Sequence, residues 1–201
     1  MRSVLKNQKG FTLVELLVSM ALGLLVLAGL AQTFVVQNRT YEIQSQVSSA
    51  LQIARAAMDM ISRDVKMAGF DPKETGIDGI GFNNTQLIIQ ADLNEDEDTT
   101  DTNEYVMYQF DASNHRILRT EGAAGTAVVF AESIQNFTFQ YQTETGAAAG
   151  SAAAIRQVVL SIEARTEKPD PRYVNPDYPS NGGYRTVLLS ALVTPYNLAL
   201  D

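Results

Sequence analysis

Glu15 is the one ionisable side chain between Phe11 and Val36, in a run dominated by Leu, Val, Ala and Gly. A charge at mid-bilayer costs on the order of 2.5–3.5 kcal/mol on insertion scales, and less near the interface, so a carboxylate in such a run is expected to have a functional partner. The partner best suited to it is an amine. Just upstream, the basic leader residues Arg2, Lys6 and Lys9 give way to apolar chain at Gly10, a small residue at the boundary.

A second concentration of reactive groups lies at residues 92–104, where Asp92, Glu95, Asp96, Glu97, Asp98, Asp101 and Glu104 place seven carboxylates in thirteen residues. Oxygen donors recur at alternate positions in Asp92, Asn94, Asp96 and Asp98. Calcium takes six to eight oxygen ligands at about 2.3–2.6 Å, and alternating donors are how a loop wraps such an ion. An EF-hand is excluded, because Glu97 stands where the sharp turn prefers glycine and Glu104 comes one place too late. A looser calcium loop using Asp92, Asn94, Asp96 and one of Asp101 or Glu104 is one reading. A solvated acidic loop that keeps the domain soluble is the other.

Other chemistry has little to work with. The chain has no cysteine, and His115, its single histidine, sits between Asn114 and Arg116 in what reads as a solvated turn, so a non-enzymatic role is expected. The formal net charge is −8; without Arg2, Lys6 and Lys9, 12 basic residues against 23 acidic ones give −11. So acidic a surface argues against nucleic acid as a ligand, since phosphate binding relies on clustered Lys and Arg.

The elements that must position these groups follow from periodicity. Twenty-six residues from Phe11 to Val36 form a helix of about 39 Å, enough to cross a hydrocarbon core of about 30 Å. No proline occurs before Pro72, and Ile43, Val47, Leu51, Ala54, Met58, Ile61 and Val65 recur at helical spacing, with Arg55, Asp59 and Arg63 on the other side. One helix is therefore predicted from Phe11 to about Lys66, closed by Gly69-Phe70-Asp71-Pro72, with Gly23 and Gly29 as places where it could loosen. Strands are predicted at 86–90, 105–110 and 116–120, then through Phe137, Phe139 and Tyr141, through Val158, Leu160, Ile162 and Ala164, and at about 185–194. Together they form one antiparallel sheet covering the helix's apolar stripe, an α+β arrangement. Residues 146–151 read as a flexible small-residue loop. Residues 168–183 carry four of the six prolines and read as an exposed excursion, whose Tyr173 and Tyr178 suit protein contact or plain loop packing.

Lys9-Gly10-Phe11-Thr12-Leu13-Val14-Glu15-Leu16-Leu17 resembles the processing site of type IV prepilins. The resemblance implies a membrane-embedded prepilin peptidase that cuts between Gly10 and Phe11 and methylates the new amine of Phe11. It makes Glu15 an assembly residue, paired with the Phe11 ammonium of a neighbouring subunit inside a bundle of apolar helices where an unpaired charge is costly. It also implies the type IV pilin-like α+β fold. Residues Met58 to Phe70, Ile155 to Arg165 and Tyr184 to Val187 are similar to PilW-type minor pilins, whereas Pro195-Tyr196-Asn197-Leu198 departs from the basic strand end expected there. Absence of the cysteines that close the C-terminal loop of many major pilins favours a minor subunit.

The organisation implied is a leader at 1–10, a transmembrane and filament-core helix at 11–36, the amphipathic half of that helix at 37–70, and a globular sheet domain at 71–201. The expected partners are prepilin peptidase, other major and minor pilins through the N-terminal helix, and the inner-membrane assembly machinery. The chain would reside in the inner membrane, N-terminus cytoplasmic and globular domain periplasmic, before joining a pilus that reaches the cell surface. A GspJ-type pseudopilin of type II secretion shares leader, helix and sheet. Two plainer readings compete for the N-terminus: a secretory signal peptide cut after Gly29-Leu30-Ala31, which would discard Glu15, and a single-pass anchor, which explains neither Gly10-Phe11 nor Glu15.

Overall fold

The computed structural model describes residues 10–198; the leader residues Arg2, Lys6 and Lys9 lie outside them. Helix α1 spans Leu13–Met67, 55 residues without a break and about 82 Å at 1.5 Å per residue. Gly23 and Gly29 remain helical within it. The chain divides into two compact units, residues 1–45 and 46–201. The first is helix alone from Leu13 on, and Leu13 to Val36 exposes its large apolar side chains all round.

In the second unit the rest of α1 buries Ala50, Ala54, Ala57, Met58, Ile61 and Val65. The buried stripe is displaced from the expected one, since Val47 and Leu51 are only half-buried and alanines at 50 and 57 face the core instead. Small side chains let the helix backbone approach the sheets. Arg55, Asp59 and Arg63 are exposed on the opposite side, as their four-residue spacing predicts.

The remaining chain forms two antiparallel sheets, not one. Strands β1 (Ile80–Gly81), β2 (Gln86–Gln90), β3 (Tyr105–Asp111), β4 (Arg116–Glu121) and β5 (Val128–Ala131) build the first, in sequence order. The second contains β6 (Ile134–Gln142), β7 (Gln157–Arg165) and β8 (Thr186–Val193). Only Glu132 and Ser133 separate β5 from β6, and a register shift near Ile134 in the β6–β7 pairing accompanies the change of sheet. β1 and β5 escape the alternation test because two- and four-residue strands are too short to display it. In β7 the alternating Val158, Leu160, Ile162 and Ala164 are all fully buried, and the pattern breaks only at Glu163, which is buried on the other face.

The helix C-terminus is closed by tertiary contacts. Gly69 adopts φ +74°, and its N–H donates to Gln90 O on β2 at 2.9 Å. A side chain there would meet Leu198 at 2.5 Å. Asn197 Nδ2 donates to Met67 O and Ala68 O, at 3.4 and 3.2 Å, and Tyr196 N donates to Lys66 O at 3.1 Å. These satisfy carbonyls that the end of a helix leaves without internal partners. The segment Pro195 to Leu198, which departs from the expected basic strand end, is therefore a cap for α1.

The segment at 168–183 is the largely exposed, strand-free excursion its prolines suggest, but a few side chains pin it to the sheet. Tyr173 stacks under the Arg185 guanidinium at 4.1 Å, and Tyr178 donates its hydroxyl hydrogen to Glu163 Oε2 at 2.5 Å. Buried Asn175 donates to Tyr184 O and Thr186 Oγ1, while its Oδ1 accepts from the Asp177 and Tyr178 N–H groups. Both tyrosines thus take part in loop packing, one of the two uses expected for them. In the 146–151 loop, Ala148 forms a β-bridge with Gln142 and Ala149 is buried, so its small residues serve close packing as well as turning.

Candidate functional site

The chemistry-bearing residues gather at two places: the start of α1, and the connection between β2 and β3. At the first, Thr12 and Glu15 form a reciprocal cap. Glu15 Oε2 accepts from Thr12 N–H and from Thr12 Oγ1, each at 2.9 Å, and Glu15 N–H donates to Thr12 Oγ1 at 3.2 Å. This is a Thr-x-x-Glu capping box on the first turn, where a carboxylate also complements the positive end of the helix dipole. The spacing is legible in the sequence as Thr12-Leu13-Val14-Glu15, so Glu15 has an intramolecular partner on its own first turn. Gly10 and Phe11 lie just outside the helix and are exposed. A peptide bond between them is thus reachable without unwinding α1.

At the second place the hairpin closes on the pair Gln90 and Tyr105, and the intervening residues are held by two buried carboxylates. Asp92 Oδ1 accepts from Glu95 N–H at 2.7 Å and Oδ2 from Glu97 N–H at 3.1 Å. Its own N–H donates to Phe70 O at 2.8 Å, tying the loop to the end of α1. Glu104 Oε1 accepts from Leu93 N–H and Asn94 N–H, at 2.8 and 3.0 Å. Asn94 Nδ2 donates to Asp96 Oδ2 and Asp101 Oδ2, at 3.0 and 3.1 Å, and Asn94 Oδ1 accepts from Asp96 N–H.

The residues expected to ligate calcium are therefore divided. Asp92 spends both oxygens on backbone, and Asn94 with Asp101 forms a side-chain bridge across the loop. Carboxylate oxygens of Asp96, Asp98 and Glu104 come together instead, all within 4.8 Å of one another. Asp98 was noted only as part of the alternation of donors. Its gathering with Glu104 depends on the loop folding back over β3, which periodicity does not display.

Elsewhere, polar groups serve the core. Tyr108 OH donates to Asp64 Oδ2 at 2.6 Å and accepts from Arg119 Nε at 3.0 Å, joining α1 to β3 and β4. Burial first, then the Asp64 carboxylate, push the Tyr108 phenol well above its ordinary value. His115 is half-buried rather than a solvated turn residue, with φ +52° and a buried Nδ1. Burial and the nearby Arg165 charge lower its pKa from 6.5.

The motif described as the prokaryotic N-terminal methylation motif matches residues 5–31. No curated protein matches the chain. Among solved structures, a type IV-like pilin from Thermus thermophilus is similar at a TM-score of 0.43 and 12% identity, over 74% of this chain and 97% of that one. The motif implies processing by a prepilin peptidase and subunit partners of the pilin type. It runs into α1, whose apolar exposed stretch is long enough to anchor the chain in a membrane. At its N-terminus the chain thus carries a prepilin-type methylation motif, with motif, capped first turn and membrane-length helix in one continuous stretch.

Proposed function

We propose that the chain is a non-enzymatic structural subunit, a minor pilin that primes or caps assembly of a type IV pilus. The observation that carries this reading is the continuity of the methylation motif at 5–31 with α1, whose exposed apolar half has no packing partner among the described residues of its own unit and contains one carboxylate. Cleavage after Gly10 leaves a Phe11 ammonium beside the capped turn. In a bundle of such helices, Glu15 of one subunit is placed to meet the Phe11 ammonium of another, and the low dielectric makes the unpaired alternative costly. The N-terminus would be cytoplasmic and the sheet unit periplasmic before incorporation.

Intact-mass analysis tests the processing step: a mature chain starting at N-methylated Phe11 is expected, and a start at Gln32 or at Met1 overturns it. Assembly is tested with Glu15→Gln, Glu15→Val and Thr12→Ala, each scored in sheared filaments. Glutamine keeps a capping-box acceptor but carries no charge. If charge pairing recruits the subunit, both Glu15 variants insert, are processed and are lost from filaments, while Thr12→Ala is retained. Recovery of Glu15→Gln together with loss of Thr12→Ala would make capping the role of Glu15. A GspJ-type pseudopilin of type II secretion is the alternative assignment, and co-purification with secretion rather than pilus subunits would select it.

A further inference from the structure

We propose that the β2–β3 loop is a calcium site formed by Asp96, Asp98 and Glu104, with Asp92 as the residue that shapes the loop rather than a ligand. The three carboxylates come from both arms of the loop and place an oxygen each within 4.8 Å of the others. Oxygens about that far apart can share one ion at the 2.3–2.6 Å typical of calcium.

The second observation concerns Glu104 itself. Its side chain is buried, 3% exposed, and its Oε2 has no hydrogen-bond partner among the described residues, although Oε1 accepts two backbone N–H groups. A buried carboxylate with an unpaired oxygen carries a large desolvation cost unless a positive charge compensates it. The nearby cations are committed elsewhere. Lys73 pairs with Glu97 at 3.2 Å, and Arg119 pairs with Asp64 at 3.3 Å and with Glu121. Three carboxylates thus converge, one of them buried with an oxygen that has no hydrogen-bond partner, and among the described residues no ion pair joins a basic side chain to any of the three, which is an arrangement a divalent cation completes.

Donor type selects the ion. The cluster offers hard carboxylate oxygens and neither imidazole nor thiolate, which disfavours zinc. Asp96 and Asp98 are exposed, so water can fill the remaining positions of a six- to eight-coordinate shell. Magnesium demands a tighter octahedral shell at 2.0–2.1 Å, a poorer match to ligands on a loop. A bound calcium would cross-link the Asp96–Asp98 turn to Glu104 at the start of β3.

The test uses the full chain in detergent, stripped with chelator and titrated with calcium chloride. Calcium at a hundredfold excess over its Kd should raise Tm by on the order of 5–10 °C, with a saturable, one-to-one isotherm by calorimetry. Asp96→Asn combined with Asp98→Asn should lose the rise. Both positions are exposed, so this variant keeps the calcium-free Tm of the parent. Glu104→Gln should lose the rise as well, and Glu144→Gln, an exposed acid outside the loop, should keep it. A parent Tm that does not respond, a response that survives in the Asp96→Asn, Asp98→Asn variant, or one matched by magnesium and sodium at equal ionic strength overturns the site. None of these outcomes depends on where the leader is cut or on whether filaments form.

Discussion

Helix α1 changes character near Ser45. Before that point its large side chains are exposed: Leu24 and Leu25 are 65% and 70% accessible. Beyond it Ile61 and Val65 are fully buried, and half of the buried helical positions are alanine. Both stretches are apolar, yet among the described residues only the second is covered. Unpartnered apolar surface of this extent belongs in lipid or against other subunits, whereas the alanine stripe belongs against a sheet of fixed shape. The same contrast divides the two carboxylate sites. Glu15 satisfies the helix end from which it comes, while Glu104 is buried in the second unit with an oxygen left over.

The contrast breaks most readily at Ile61. Ile61→Ala should cost about 2–5 kcal/mol in denaturant unfolding, since a buried side chain is replaced by a cavity. Leu25→Ala should stay within about 0.5 kcal/mol for the detergent-solubilised chain. Equal costs would mean that the first half of α1 is packed in the isolated chain after all.

A smaller effect sharpens the view that polar contacts as well as apolar ones hold the second unit. Asn175→Ala strands the Asp177 and Tyr178 N–H groups and removes the donors to Tyr184 O and Thr186 Oγ1, so a loss of about 1–3 kcal/mol is expected by thermal melting. No change in melting would show the 168–183 segment to be independent of the sheet it packs on.

The two ends of α1 make a third comparison. Asn197→Ala removes the side-chain donor at the C-terminal end and should lower the stability of the sheet unit by about 0.5–1.5 kcal/mol. Thr12→Ala removes the N-terminal cap and should fray the first turn, visible in amide exchange, while leaving the sheet unit's Tm unchanged. A drop in that Tm would couple two units that fold separately on this reading.

The smallest effect is at alkaline pH. Burial raises the Tyr141 phenol from 10.0 to about 12, favouring the neutral form in the fold. That contribution is complete below pH 10 and is lost as pH rises through 12, because the unfolded chain then releases a proton the native state retains. Stability should fall over pH 10–12, and Tyr141→Phe should fall less. Tyr108, shifted further in the same direction, leaves a residual loss in that variant.

Much of the fold was legible along the chain. The helix, six of the eight strands and the charged outer positions of α1 follow from periods of 3.6 and 2, because a buried face repeats with the backbone that carries it. Division of the strands into two sheets was not legible. It depends on pairing between strands, and the short β1 and β5 lack a pattern of their own. In the candidate sites, the Thr12–Glu15 turn is legible from local spacing, since both partners lie on one helical turn. Asp98 with Glu104 could not be chosen over Asp92 in the same way.

Taken alone, the sequence determined the features whose cause is local. Basic residues before Gly10 and apolar ones after it define the leader boundary; 26 residues with one charge define a membrane-length helix; alternation defines the strand interiors. Tertiary structure decided which side of α1 is buried, what the segment Pro195 to Leu198 does, and which acids of the 92–104 loop face one another. The physical reason is common to all three. Hydrophobic periodicity reports that a side chain is to be buried, but not by what, and a carboxylate's partners depend on which distant backbone N–H groups and charges the fold delivers to it. Asp92 and Glu104 are the same chemistry in one sequence segment, separated only by the N–H groups that closure of the β2–β3 hairpin brings within 3.1 Å.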